Sequence, residues 1–106
     1  MTNKLAYEPL VNWTVMLKAM ADESRLRIIQ LLLGREMAVN DIAAELGIEA
    51  YNVSKHLRIL ESCRLVVKRK NGIKRMFKVA EGLGSRYSGG ILDFGCCKFD
   101  FNELRS

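Results

Sequence analysis

Three sets of residues in this chain have the types and spacing to do chemistry. The first is cationic: Lys55, Arg58, Arg64, Lys68, Arg69, Lys70, Lys74, Arg75 and Lys78 stand in one stretch with a single acid, Glu61, so the segment carries +8 in a chain whose net charge is +5. A positive excess gathered in less than a quarter of the chain, on an otherwise acidic scaffold, marks a polyanion-binding surface rather than an evenly solvated one. The second set is polar and borders the first: Tyr51, Asn52, Ser54, Lys55 and His56, followed by Arg58. Amide, hydroxyl and ammonium groups of this kind address base edges and phosphate oxygens. The third set is the thiols Cys63, Cys96 and Cys97, with no histidine near them in sequence. Three thiolates without imidazole suit thiophilic, low-coordinate ions such as arsenite, antimonite, cadmium, lead or cuprous copper, whereas tetrahedral zinc needs a fourth ligand. Two other readings of the thiols stay open, an oxidant-responsive switch and plain packing as small hydrophobes. An odd cysteine count containing an adjacent pair argues against a disulfide framework.

Enzyme chemistry finds no footing. There is one histidine, no carboxylate pair and no glycine-rich phosphate loop, so neither acid–base nor covalent catalysis has its parts. No apolar run approaches the roughly 20 residues a membrane span needs. The start of the chain lacks a secretory signal, which predicts a cytoplasmic protein with no membrane partner.

The elements that must position these residues follow from periodicity. Pro9 opens a first helix with Leu10, Trp13, Leu17 and Met20 at helical spacing. Asp22 caps a second, apolar on several sides through Leu26, Ile28, Ile29, Leu31, Leu32 and Leu33, which ends at Gly34. Asn40 offers an N-cap for a short third helix that Gly47 terminates. The fourth runs from about Ala50 to Ser62, with Val53, Leu57 and Leu60 inward and Asn52, Lys55 and Arg58 outward. Third and fourth helices around a tight glycine turn make a helix-turn-helix, in which small Ala43 and Gly47 permit close crossing.

Beyond it, residues 65–70 and 73–79 read as strands around Asn71-Gly72, a hairpin signal of the type I′ kind that sets Val66 against Phe77 and Val67 against Met76. Lys68, Arg69, Lys70, Lys74 and Arg75 then crowd the tip, where like charges oppose one another. The expected architecture is a winged helix-turn-helix, mainly α with a small β-hairpin. Residues 1–80 form the DNA-binding domain, with the fourth helix as reader and the hairpin as wing. Residues 81–106 hold five of the eight glycines, so they form no regular helix, and pack on the same domain or in a dimer interface. Apolar alternation there changes phase at Cys96-Cys97, as a bulge or bend would cause.

Lys18-Ala19-Met20-Ala21-Asp22-Glu23-Ser24-Arg25-Leu26-Arg27-Ile28-Ile29 and Val53-Ser54-Lys55-His56-Leu57-Arg58-Ile59-Leu60 resemble the ArsR/SmtB winged-helix repressors over roughly Leu10 to Val79. The resemblance implies a homodimeric transcriptional repressor that leaves a double-stranded DNA operator when a metal, metalloid or other inducer binds. Three departures stand out. Arg64 occupies a place where the family usually has glycine, so the path into the wing is strained or turned differently. Ala38 and Asn40 stand where the family's arsenic-type site has cysteines. The histidines of the family's C-terminal-helix site have no counterpart, since the lone His56 is in the reading helix. By elimination Cys96, Cys97 and Cys63 are the candidate inducer ligands, acting by pulling on the end of the reading helix. A winged-helix protein-interaction module is the alternative from another class, and the basic wing argues against it.

Overall fold

The computed structural model describes residues 13–95 and 97–104. Four helices come first: α1 (Trp13–Met20), α2 (Glu23–Gly34), α3 (Val39–Leu46) and α4 (Ala50–Ser62), with a two-residue strand β1 (Met37–Ala38) ahead of α3. Strands β2 (Val66–Asn71) and β3 (Lys74–Val79) follow, then β4 (Tyr87–Ser88), β5 (Ile91–Asp93) and β6 (Lys98–Asp100). The strands form two antiparallel sheets, ordered β1-β3-β2 and β4-β5-β6.

Local chemistry explains most boundaries. The Asp22 carboxylate accepts the backbone N–H of Arg25 at 3.0 Å and so caps α2, as its sequence position suggested. α3 ends on Gly47, whose φ of +68° is open to glycine at little cost and whose N–H donates to the Ala43 carbonyl at 2.8 Å. The start of α3 differs from expectation: its N-cap is Ala38, without a side-chain cap, and Asn40 lies inside the first turn. Pairing of Met37 and Ala38 with Phe77 and Met76 of β3 runs the chain directly from strand into helix, so tertiary pairing overrides the asparagine's capping preference.

Burial follows the helical pattern in α2 and α4, where Ile28, Ile29, Leu32, Val53, Leu57 and Leu60 are buried. Each such side chain contributes about 1.5–3 kcal/mol relative to exposure. α1 departs from its expected stripe. Met16, Ala19 and Met20 face inward, while Leu17 and Val15 are 40% and 48% exposed. Pro9 and Leu10 lie outside the described residues.

The hairpin forms where expected but in another register. Val66 pairs with Val79, Lys68 with Phe77, Arg69 with Met76 and Lys70 with Arg75. The loop is Gly72-Ile73 rather than Asn71-Gly72, and its positive φ falls on Gly72 (+68°) and not on Ile73, which matches a type II′ turn. Shifting the loop by one residue moves every cross-strand pair by two, which keeps Phe77 on the buried face. In the tail, the phase change is a hairpin turn rather than a bulge: Leu92 pairs with Phe99, and the Phe94 N–H donates to the Cys97 carbonyl at 2.9 Å. Leu83, Leu92, Phe94 and Phe101 join the same buried cluster as the helices. The architecture is a winged helix-turn-helix with a small second sheet packed on it.

Candidate nucleic-acid interface

α4 owes its position to Val53, Leu57 and Leu60, each at most 1% exposed, which leaves the opposite side free. Tyr51, Asn52, Lys55 and Arg58 lie on that exposed side, with Tyr51 70% exposed and the Lys55 ammonium 5.5 Å from its ring centroid. Such a cation–π contact holds the lysine head above the helix's first turn. Ile59, 42% exposed, shares the outer surface.

His56 behaves differently from its neighbours. It is half-buried, and its Nδ1 lies 3.2 Å from the Arg25 guanidinium. A guanidinium has donors only, so Nδ1 is the acceptor in this contact. Arg25 also donates from Nε to the Ala19 carbonyl at 2.6 Å and lies 4.0 Å from the Asp22 carboxylate. One arginine therefore ties the end of α1 and the cap of α2 to the reading helix. Sequence reasoning missed this role, because nothing in local spacing connects Arg25 to a residue 31 positions later.

The way from reader to wing is fixed by a residue in an unfavourable conformation. Arg64 has φ +65°, the one non-glycine residue with positive φ among those described. Its N–H donates to the Glu61 carbonyl at 3.0 Å, and the next N–H, from Leu65, reaches back to Leu60 at 2.9 Å. That pair of bonds is the Schellman closure of a helix, normally built on glycine, and an L side chain there costs about 1–2 kcal/mol. The turn suspected at Arg64 is thus present and closes as glycine would close it.

On the wing, Lys68, Arg69, Lys70, Lys74 and Arg75 are all exposed. Arg69 is not free: it forms an ion pair with Glu36, Nη2 to Oε1 at 2.6 Å, and holds that carboxyl below the usual carboxylate range. Glu36 precedes β1 and Arg69 lies on β2, so the pair links the two outer strands of the β1-β3-β2 sheet across β3. It too was missed, for want of any local signal.

Two clefts join these parts. Ser54, Arg58 and Glu61 of α4 and Lys68 and Arg75 of the wing line one of about 160 Å3. A larger groove of about 810 Å3 lies between residues 38–41 and the wing's Lys70, Gly72, Ile73, Lys74 and Arg75. Arg75 borders both. Of the expected cations, Arg58, Lys68, Lys70, Lys74 and Arg75 therefore line these two concave surfaces, while Lys55 and Arg69 line neither.

Of the described thiols, neither Cys63 nor Cys97 lines either cleft. Cys63 caps the end of α4, is 8% exposed, and donates its S–H to the Leu60 carbonyl at 3.5 Å. Burial pushes its pKa up, which disfavours the thiolate a metal ligand must be. Cys97 is half-buried in the tail turn, and Cys96 lies outside the described residues. Among the described residues no group of three or more His, Cys, Asp or Glu could hold a metal ion. No helix among them is long and apolar enough to cross a membrane.

Comparison with known proteins bears on the same region. A family model described as bacterial regulatory protein, arsR family, matches residues 22–68. A transcriptional repressor SmtB homolog of Synechocystis sp. is 41% identical over 63 residues, covering 59% of this chain and 48% of that protein. The chain spans about half the length of the first curated relatives it matches. Among solved structures, reduced HlyU from Vibrio cholerae aligns with a TM-score of 0.61 at 33% identity, over 65% of this chain and 73% of the other. A homodimeric winged helix-turn-helix DNA-binding domain from Mycobacterium bovis aligns with a TM-score of 0.63 at 30% identity, over 76% of each chain. These relatives are regulators of transcription or DNA-binding domains, none an enzyme.

Proposed function

We propose, from the premise that this chain belongs to the bacterial ArsR family of regulatory proteins, that it is a transcriptional repressor binding duplex DNA as a homodimer. α4 enters the major groove, where Tyr51, Asn52, Ser54 and Lys55 meet bases and phosphates. The hairpin lies along the neighbouring backbone, supplying affinity by counterion release. The observation that carries this reading is the convergence of Arg58 from α4 with Lys68 and Arg75 from the wing on one cleft, with Arg75 shared by the adjoining groove. His56, turned toward Arg25, orients the reader instead of touching a base.

Dimerisation follows from geometry, since one reading helix covers a half-site and specific binding joins two about one helical turn apart. Val15 and Leu17, exposed on α1, offer an apolar surface for the partner copy. Titrating a labelled duplex pool between 50 and 200 mM salt tests the reading: affinity falls steeply and linearly on a log–log plot, with a slope of about −0.9 per phosphate neutralised. Salt-independent binding to a protein and none to DNA would turn the domain into a docking module. Sedimentation as monomer alone at micromolar concentration would remove the dimer. The same titration with arsenite, cadmium and peroxide, repeated on a Cys96→Ser/Cys97→Ser variant, decides whether the vicinal thiols govern release.

A further inference from the structure

Ile73 occupies the second loop position of the wing, and at 103% relative exposure its side chain is entirely in solvent. The other exposed large apolar residues, such as Leu17, Ile59 and Tyr51, lie between 36% and 70%. A lone surface hydrophobe is ordinary, but this one has no fold-based use: past the last paired residues, Asn71 and Lys74, it has no cross-strand partner. It also stands among cations, with Lys70, Lys74 and Arg75 exposed around it and no acid between Val66 and Val79. An apolar tip in a cationic collar is poorly matched to water and well matched to the interior of a charged polymer.

Resting on the DNA-binding reading, we propose that Ile73 is an apolar wedge that enters the minor groove beside the half-site and inserts between two base pairs. The groove of about 810 Å3 between residues 38–41 and the wing receives one strand of backbone, with Lys70, Lys74 and Arg75 on its phosphates. The tip then reaches past that strand. Branched apolar side chains so placed unstack a base step and kink the duplex, by roughly 20–90° in minor-groove binders. Pyrimidine–purine steps, TA above all, yield most readily, so the site carries a shape preference at a step where no hydrogen bond reads the bases.

The test starts from a duplex pool with 30 randomised base pairs, selected in parallel by the full chain, by Ile73→Ser, by Ile73→Leu and by Ile73→Lys. Because the side chain is fully exposed, all of these fold. The wild-type and Ile73→Leu winners are expected to carry TA or CA/TG steps at a fixed distance from the core motif, and to bend on binding as read by end-to-end fluorescence transfer. Ile73→Ser should keep the core motif, keep the salt slope, lose the flanking steps and the bend, and discriminate TA from AA at that step about tenfold less well. Ile73→Lys should also lose the bend despite its added charge. Equal flanks and equal bend in wild type and Ile73→Ser overturn the wedge while leaving DNA binding intact. A tighter, equally bent Ile73→Lys complex overturns it as well, since the tip would then only track phosphates. Failure of the wild-type chain to retain any duplex overturns both this inference and the repressor reading.

Discussion

Two of the antiparallel hairpins among the described residues, the wing (β2–β3) and the tail hairpin β5–β6, follow opposite rules. In the tail hairpin, opposite charges face each other across the strands, Asp93 against Lys98, and apart from Ile91 the apolar residues turn inward: Leu92 is fully buried, Phe94 nearly so, and Phe94 meets Phe99 edge to face at 5.6 Å. In the wing, Lys70 faces Arg75 and five of the six β2 residues are exposed. Like charges directly opposed destabilise a sheet, and a half-polar strand with one buried side chain gains little from burial. The tail hairpin is arranged as its own folding would arrange it. The wing is not, and local violations of folding rules of this kind concentrate where a surface serves a ligand.

That contrast is breakable from either side. The largest effect is expected in the tail: Phe94→Ala should destabilise the chain by roughly 3–5 kcal/mol, seen as a lower urea midpoint, because it empties a fully packed aromatic site. A loss below about 1 kcal/mol would separate the tail from the common core. The wing should respond in the opposite way to Lys70→Gln/Lys74→Gln/Arg75→Gln. Stability should stay within about 0.5 kcal/mol of wild type or rise. The log–log salt slope for duplex binding should shrink by about 2–3, one contact per cation removed. An unchanged slope would take the wing out of the interface.

How far the sequence reached these two regions differs for physical reasons. The wing's existence, its charge and its place after the reading helix were legible because Asn71-Gly72 and the cationic run are local signals. Its register was not, since moving the loop by one residue shifts every pair by two and leaves Phe77 and Val66 on the same buried face, so the apolar pattern does not tell the two registers apart. α4 was legible at both of its ends, Ala50 and Ser62, and so was the anomaly at Arg64. The links that orient the site, Arg25 to His56 and Glu36 to Arg69, join residues 31 and 33 positions apart, and no periodicity reports such pairs. β1 escaped for the same reason: two residues have no pattern, and only their pairing with β3 makes them a strand. In the tail, the phase change at the cysteines was visible, but three-residue strands are too short to tell a bulge from a turn.

Smaller effects sharpen the comparison where the wing is attached. Arg64 holds a glycine conformation with a side chain, so Arg64→Gly should raise stability by about 1 kcal/mol, the relief of the left-handed strain less the entropy glycine adds to the unfolded chain. The urea midpoint should move up with an unchanged m-value. A fall in stability would mean that the Arg64 side chain makes a compensating contact on the wing side.

The smallest effect belongs to the Glu36–Arg69 pair, both members of which are solvent-accessible. The guanidinium holds the Glu36 carboxyl below its unfolded-state pKa, so the pair's contribution is complete above the ordinary glutamate range of about 4.3 and is lost as pH falls through the lower folded-state value. Arg69 stays charged throughout. Glu36→Gln should therefore give a small stability deficit that is flat from pH 5 to 8 and closes below about pH 4. At neutral pH the same variant frees Arg69 for phosphate, so its duplex salt slope should steepen by up to about 0.9. A deficit that persists at pH 3 would assign Glu36 a packing role, and a slope that does not change would keep Arg69 off the DNA even when it is unpaired.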